Sequence, residues 1–168
     1  GNVYHIVQIG TQQWLVENLK TTTYQNGDPI PYITDDALWG DARTGALCEC
    51  YLAPEIAEKT GLLYNWYAGT DSRKIAPIGW HVPSETEWTT LVDALGGYAS
   101  AGGKLKEAGT YGWNDPNVGA TNETGFSGRG GGCRYQNGTF DRVRIFGYFW
   151  SITEKPGSKG FSTSLKTF

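Results

Sequence analysis

Gly79-Trp80-His81-Val82-Pro83-Ser84-Glu85-Thr86-Glu87-Trp88 is the stretch that decides the fold, because a turn and a helix start are written into it together. Ser84 and Glu87 stand at the N-cap and N3 spacing of a capping box, in which each side chain satisfies a backbone N–H that the first helical turn leaves unpaired. Pro83 ends the segment before it. Beyond the cap, Trp88, Leu91, Val92 and Leu95 recur at i, i+3, i+4 and i+7, which places all four on one helical face, and Gly96-Gly97 supplies the stop. The spacing predicts a capped amphipathic helix laid on a core. That reading is complete without any chemistry, so function must be sought elsewhere in the chain.

Upstream of this helix, residues 3–9 and 12–17 carry β-branched and aromatic side chains around Gly10-Thr11 and read as a hairpin. Pro29 and Pro31 keep residues 30–33 extended but out of a central ladder. Thr34 or Asp35 caps a short helix through Trp39. Residues 40–61 read as loop with a turn of helix at 54–59, and the aromatic run 62–68 reads as core, whether strand or helix. Downstream, residues 100–108 predict a second short helix. The cluster Gly128-Arg129-Gly130-Gly131-Gly132 lacks the Gly-Lys-Ser/Thr ending, the strand and the helix that phosphate cradling requires, and reads as a close backbone approach. Asn137-Gly138, between alternating runs at 133–136 and 139–146, is the strongest short hairpin signal in the chain. Residues 147–151, a turn at Lys155-Pro156-Gly157-Ser158 and a strand over 161–168 complete the sequence.

One domain over residues 1–168 accommodates these elements, and 168 residues suffice to bury a core without metals or disulfides. Aromatics at 14%, 24 glycines and only 18% charged residues point to short strands and tight turns rather than a helical bundle. The expected class is α+β, with short twisted antiparallel sheets, one or two helices and long loops. A net charge of -3 with scattered Lys and Arg excludes a general nucleic-acid binder, because phosphate neutralisation needs clustered cations. No apolar run approaches the roughly 20 residues of a membrane span. The chain opens at Gly1 and contains no Met, which reads as a processed or excised segment whose leader is removed. Cys48-Glu49-Cys50 is too tight for a thioredoxin-type pair or a usual zinc knuckle, and Cys133 is read as a buried free thiol or as the partner of one of those two.

Six blocks, in order along nearly the whole chain, resemble the Fibrobacter succinogenes major paralogous domain. They are Trp14-Leu15-Val16-Glu17-Asn18-Leu19, Gly61-Leu62-Leu63-Tyr64-Asn65-Trp66-Tyr67-Ala68, the opening stretch with Glu87-Trp88, Lys104-Leu105-Lys106, Ala120-Thr121-Asn122-Glu123-Thr124-Gly125-Phe126-Ser127, and Phe149-Trp150-Ser151 with Thr153-Glu154. The resemblance implies a fold similar to C-type lectins and the formylglycine-generating enzyme. It also implies an exported bacterial module at the cell surface or outside the cell, often lipoprotein-borne and lipid-anchored through a removed leader. Two departures matter. Ala76 stands where the family usually has a Cys, and the chain ends in Leu165-Lys166-Thr167-Phe168 where a strand containing Phe-Ser-Val-Arg-Cys is usual. An absent last strand leaves a sheet edge open near the N-terminal hairpin, which predicts self-association by strand exchange.

Catalytic supply is thin. Neither His5 nor His81 has a metal-ligand spacing or a sequence-local acid partner, and the resemblance to an enzyme working through a reactive cysteine pair fails where only Cys133 is present. No enzyme and no cofactor is expected. Trp113-Asn114-Asp115 is similar to the calcium motif of sugar-binding C-type lectins, which makes Asn114 and Asp115, with Asn122 and Glu123 nearby, calcium candidates. Without a Glu-Pro-Asn companion the polar-turn reading is preferred. The richer segment is 134–155, where Tyr135, Gln136, Asp141, Arg142, Arg144, Phe146, Tyr148 and Phe149 bring together the side chains that dominate recognition surfaces. Plain alternation, one face being core, accounts for about half of them. In relatives this region resembles the variable region of retroelement-diversified proteins. The expected function is a non-catalytic binding or adhesion module for a protein or glycan ligand, with a structural subunit of a surface assembly or filament as the alternative, and a metal- or thiol-dependent enzyme behind both.

Overall fold

At Gly10, where φ is 57°, the chain reverses and pairs β1 (Ile6–Ile9) with β2 (Gln12–Leu15) in the register Ile6 to Leu15 and Ile9 to Gln12. The computed structural model describes residues 1–154 and the backbone of residues 161–166. After the hairpin comes α1 (Asp36–Asp41), capped by the Asp35 carboxylate, which accepts from the Leu38 N–H at 2.8 Å. The loop expected at 40–61 contains more structure than composition implied: β3 (Leu47–Cys48), a 3-10 turn (Cys50–Leu52) and α2 (Pro54–Thr60). The run 62–68 divides between the two alternatives. Leu63–Tyr64 forms β4 against β3, and Trp66–Gly69 forms α3, whose Asn65 cap accepts from the Ala68 N–H.

The helix predicted from Ser84 is α4 (Glu85–Ala94), with both halves of the capping box made. Its far end is closed by Gly96 N–H to Asp93 O and Gly97 N–H to Val92 O, a Schellman pair that requires the positive φ of 90° at Gly96. Trp88, Leu91 and Val92 and the capping Leu95 are all buried, at about 1.5–3 kcal/mol of hydrophobic stabilisation each. They form the main core with Ile9, Trp14, Phe126 and Trp113. Trp14 packs on Trp88 with ring centroids 4.7 Å apart. α5 (Tyr98–Leu105) follows at once and adds Ala101 and Leu105 to the same core.

The C-terminal third supplies β5 (Cys133–Arg134), β6 (Phe140–Asp141), β7 (Phe146–Ser151) and β8 (Phe161–Lys166). The Asn-Gly turn joins β5 to β6 as predicted, but the alternation expected to run through residue 146 stops at Asp141. Arg142 and Arg144 adopt φ values of 61° and 59°, because the backbone here is drawn inward: Arg144 N–H donates to Gly130 O at 2.6 Å, and Asn114 N–H donates to Arg144 O at 2.8 Å. Phe146 therefore opens a new strand. The terminal segment pairs with β7 along its full length, Phe146 to Lys166 through Ser151 to Phe161, so a strand is present where the sequence departs from the usual family ending. The turn predicted at residues 155–158 and the last two residues of the predicted final strand lie outside the described residues.

Every sheet among the described residues is an antiparallel pair, and isolated parallel bridges (Tyr32 to Leu47, Lys106 to Gly128, Gly132 to Gly147) stitch the pairs to the loops. The architecture is mixed helix and strand, with small antiparallel sheets and, among the described residues, five α-helices. The glycine cluster does make the close approach expected of it. A Cβ on Gly130 would lie 2.9 Å from Arg144 Cα, and one on Gly132 would lie 2.5 Å from Asp141 O.

Candidate functional site

The hairpin of β5 and β6 sorts its side chains by strand parity. Arg134 and Phe140 face each other across the ladder on one side, while Cys133 and Asp141 face each other on the opposite side. The first side is turned inward. The Arg134 side chain is 0% exposed, with its guanidinium 4.8 Å from the centroid of Trp39 and 4.9 Å from that of Phe140. It donates to Gly138 O at 3.0 Å and to Ile33 O, Thr34 O and Asp36 Oδ1 at 2.7 Å each, which bolts the hairpin to the start of α1. Sequence reasoning did not single out this residue, and a buried arginine leaves no local signal.

The opposite side carries a connected surface. Tyr135, exposed, donates its hydroxyl to Asp141 Oδ2 at 3.1 Å. Arg142 donates through Nε to the same Oδ2 at 3.2 Å and through its terminal nitrogen to the Tyr148 hydroxyl at 3.0 Å. Its guanidinium lies 4.9 Å from the Phe146 ring centroid, and the Phe146 and Tyr148 rings stack at 5.7 Å with 11° between planes. The hydrogen bond to Asp141 pushes the Tyr135 phenol above its ordinary range. The bond to Tyr148 likewise raises the pKa of Arg142 above its ordinary value. Tyr135, Asp141, Arg142, Phe146 and Tyr148 thus form one cross-linked group.

The other three recognition candidates go elsewhere. Gln136 sits on the exposed turn and donates to Gly40 O at 3.3 Å, bordering a shallow depression with Asp36 and Asp41. Arg144 is used by the scaffold, donating to Thr110 O at 2.5 Å and Trp113 O at 3.0 Å. The Phe149 ring is committed to the core, 5.7 Å from Trp88 and 6.1 Å from Phe126, because it points to the opposite side of β7 from Phe146 and Tyr148.

Of the calcium candidates, Asn114 and Asp115 are exposed on the loop after Trp113. Asn122 spends its amide group on Ser127, and Glu123 pairs with Lys104 at 3.0 Å, so the oxygens grouped with them by sequence are engaged in local contacts. Among the described residues, no group of three or more His, Cys, Asp or Glu side chains is placed to hold a metal. Both histidines do have acid partners that sequence spacing did not reveal. His5 Nδ1 lies 2.6 Å from Glu17 across the first hairpin, and His81 Nε2 lies 2.8 Å from Glu87, the capping-box carboxylate; both imidazoles are solvent-exposed. Lys106 is 2% exposed, donates to Val118 O at 2.9 Å and rests over Trp113, and burial lowers its pKa. A cleft of about 890 Å³, bordered by Trp14, Trp88, Phe126, Tyr148 and Trp150, runs along β7.

Among the described residues, no helix is long and apolar enough to cross a membrane. The family model of the Fibrobacter succinogenes major domain matches residues 7–167. No curated protein and no solved structure matches the chain.

Proposed function

The chain belongs to the Fibrobacter succinogenes major domain family, and from that premise we propose that it is a non-catalytic binding module whose ligand meets the face formed by Tyr135, Asp141, Arg142, Phe146 and Tyr148. The observation that carries this reading is the hydrogen-bonded chain from Tyr135 through Asp141 and Arg142 to Tyr148, laid over stacked aromatic rings at the surface. Such a group loses little rotamer freedom on binding, and that loss is a principal cost of association. Tyr and Arg are also the residue types that carry most binding energy at interfaces, since each combines apolar area with directed polar contacts. The ligand is a protein or glycan at a cell surface, and the module is exported and displayed there on a C-type lectin-like, formylglycine-generating-enzyme-like scaffold. The resemblance described above supports both of those assignments.

The test is to screen the labelled domain on a printed glycan array and against a yeast-displayed protein library, and to measure each binder against Tyr135→Ala and Arg142→Ala. Each substitution should weaken binding at least tenfold, about 1.4 kcal/mol. The melting temperature should move by no more than about 2 °C, because the Arg142–Asp141 pair is exposed and screened by solvent. Binders indifferent to both substitutions would refute the assignment.

A further inference from the structure

Two strands that border the cleft, β5 and β7, begin beside each other. Gly132 and Gly147 form a parallel bridge, with Gly132 N–H donating to Phe146 O at 2.8 Å. Successive strand residues turn their backbone groups to opposite edges, so Phe146, Tyr148 and Trp150 all face away from β8 and towards the Gly132 side. The same parity holds on β5. Tyr135 N–H donates to Thr139 O across the hairpin, which turns the backbone of Arg134 away from β6, as that of Gly132 is. Past the bridge the ladder stops: the Arg134 N–H and C=O, the Tyr148 C=O and the Trp150 N–H have no hydrogen-bond partner among the described residues. The edge of β7 closes again only where Trp150 O accepts from Trp88 Nε1 at 3.2 Å and Ile152 N–H donates to Pro83 O at 3.0 Å. The interval opens on the cleft of about 890 Å³, which Gly132, Arg134, Tyr148 and Trp150 border along these edges and Val82 and Pro83 border at the far end. Trp14, 9% exposed, also lines it, and its buried indole N–H has no partner among the described residues. Polar groups left unpaired at the wall of a mainly apolar cleft carry a cost that a complementary ligand removes.

We propose that the cleft takes an extended peptide segment of a partner protein, which lies between β5 and β7 as an added strand. An extended chain offers N–H and C=O groups to both of its edges at the strand repeat, and that is the pattern which Arg134 on one side and Tyr148 and Trp150 on the other leave open. A saccharide hydroxyl can meet one such group, but a sugar ring has no repeat that matches a ladder. Alternate side chains of the peptide are apolar, because those on its inner face meet Trp14 and Trp88. The proposal rests on the binding-module reading and narrows its ligand from protein or glycan to protein; Tyr135 and Tyr148 border the cleft as well as the face.

The test begins on the unliganded domain. In amide hydrogen exchange followed by NMR, Trp150 should exchange at least about tenfold faster than Phe149, whose N–H faces β8. Phage-displayed random linear peptides are then selected on the folded domain, and the most enriched sequence is synthesised. Its binding should slow exchange at Arg134 and Trp150 at least about tenfold, and N-methylation of its central backbone amides, which keeps every side chain, should abolish that protection. Trp150 as protected as Phe149 in the unliganded domain, no enriched peptide, or a bound peptide that leaves both amides exchanging as before overturns the proposal. A glycan that binds in place of peptides and weakens with Tyr135→Ala and Arg142→Ala also overturns it while leaving the recognition face standing. A peptide that protects both amides yet is indifferent to those two substitutions upholds the cleft and removes the face.

Discussion

Replacing Arg134 removes the bolt between the β5–β6 hairpin and the rest of the molecule, and its effect can be worked out from the contacts. In Arg134→Ala the carbonyls of Ile33, Thr34 and Gly138 lose a charged donor, at about 1 kcal/mol net for each bond. Loss of the guanidinium from between Trp39 and Phe140 adds about 1 kcal/mol. The ion pair with Asp36 contributes less than a buried pair would. The Asp36 carboxylate is 65% exposed and regains water, so about 1 kcal/mol is the appropriate figure rather than the 3–5 kcal/mol typical when one member of a fully buried pair is removed. The total is about 4–5 kcal/mol, which for a chain of 168 residues lowers the melting temperature by about 10 °C. Arg134→Lys keeps the charge but not the planar fork that reaches carbonyls in three directions, and should lose about half as much. Urea unfolding followed by tryptophan fluorescence measures both variants. An alanine variant within about 1 kcal/mol of the parent, or a lysine variant equal to it, would show that the hairpin is held by something other than this side chain.

Three further outcomes follow from local geometry. Gly138→Ala should cost about 3 kcal/mol, because the added Cβ meets the Asp36 side chain at 2.2 Å on a backbone with φ of 85°, whereas Gly27→Ala, at φ 88° with nothing within 4 Å, should cost only about 1 kcal/mol of backbone strain; chemical denaturation of the pair separates clash from strain. Ser84→Ala removes the acceptor for Glu87 N–H at 3.3 Å and should cost about 1 kcal/mol, read as a drop of about 3 °C in a thermal melt. Arg73 donates to both Asp71 oxygens and holds that carboxyl at about 2, below its unfolded value near 4. A depressed folded-state pKa gives stability that is present above the unfolded value and lost as pH falls through the folded one. The stability difference between the parent and Asp71→Asn should therefore shrink between pH 4 and pH 2, and a urea midpoint gap that stays constant over that window contradicts it.

What the sequence disclosed was what short-range rules govern. The capping box needs only Ser84, Glu87 and the spacing between them, and the Schellman close needs only Gly96-Gly97, so α4 was legible to within a residue at each end. The hairpin at Asn137-Gly138 was legible for the same reason. Long-range pairing was not. Glu87 was visible as a cap but not as the partner of His81, because that contact depends on how the turn through Gly79 and Pro83 folds back, and no periodicity describes it. The loop expected at 40–61 proved to hold β3 because Leu47 and Cys48 find partners in Leu63 and Tyr64, a pairing that two-residue strands cannot announce by alternation. Alternation also fails to say which side of a hairpin is core. Charge would place Arg134 outside, and the structure buries it, because the segment from Ile33 to Asp36 offers arginine the acceptors that burial demands.

The proposed recognition face was half legible for a related reason, and the missing half lies in residues without side chains. The eight candidate residues come from one segment in which plain alternation accounts for about half of them, yet the chain leaves the strand at Arg142 and returns only at Phe146. That detour is possible because Gly130 and Gly132 let the backbone of residues 141–144 press against them. A methyl group at Gly132 would meet Val143 N at 2.7 Å, and one at Gly130 would meet the Trp113 ring at 3.0 Å. The left-handed turn that results sends the Arg144 side chain inward to the carbonyls of Thr110 and Trp113, and sends Arg142 outward to Tyr148 and Phe146. The glycine cluster and the arginines, which look like separate motifs in the sequence, are therefore one device. The glycines set the path of the backbone, and the path decides which arginine is scaffold and which faces solvent. Substitution at Tyr135, Arg142 or Tyr148 leaves these glycines in place, whereas a side chain at Gly130 or Gly132 meets the backbone of residues 141–144 at under 3 Å.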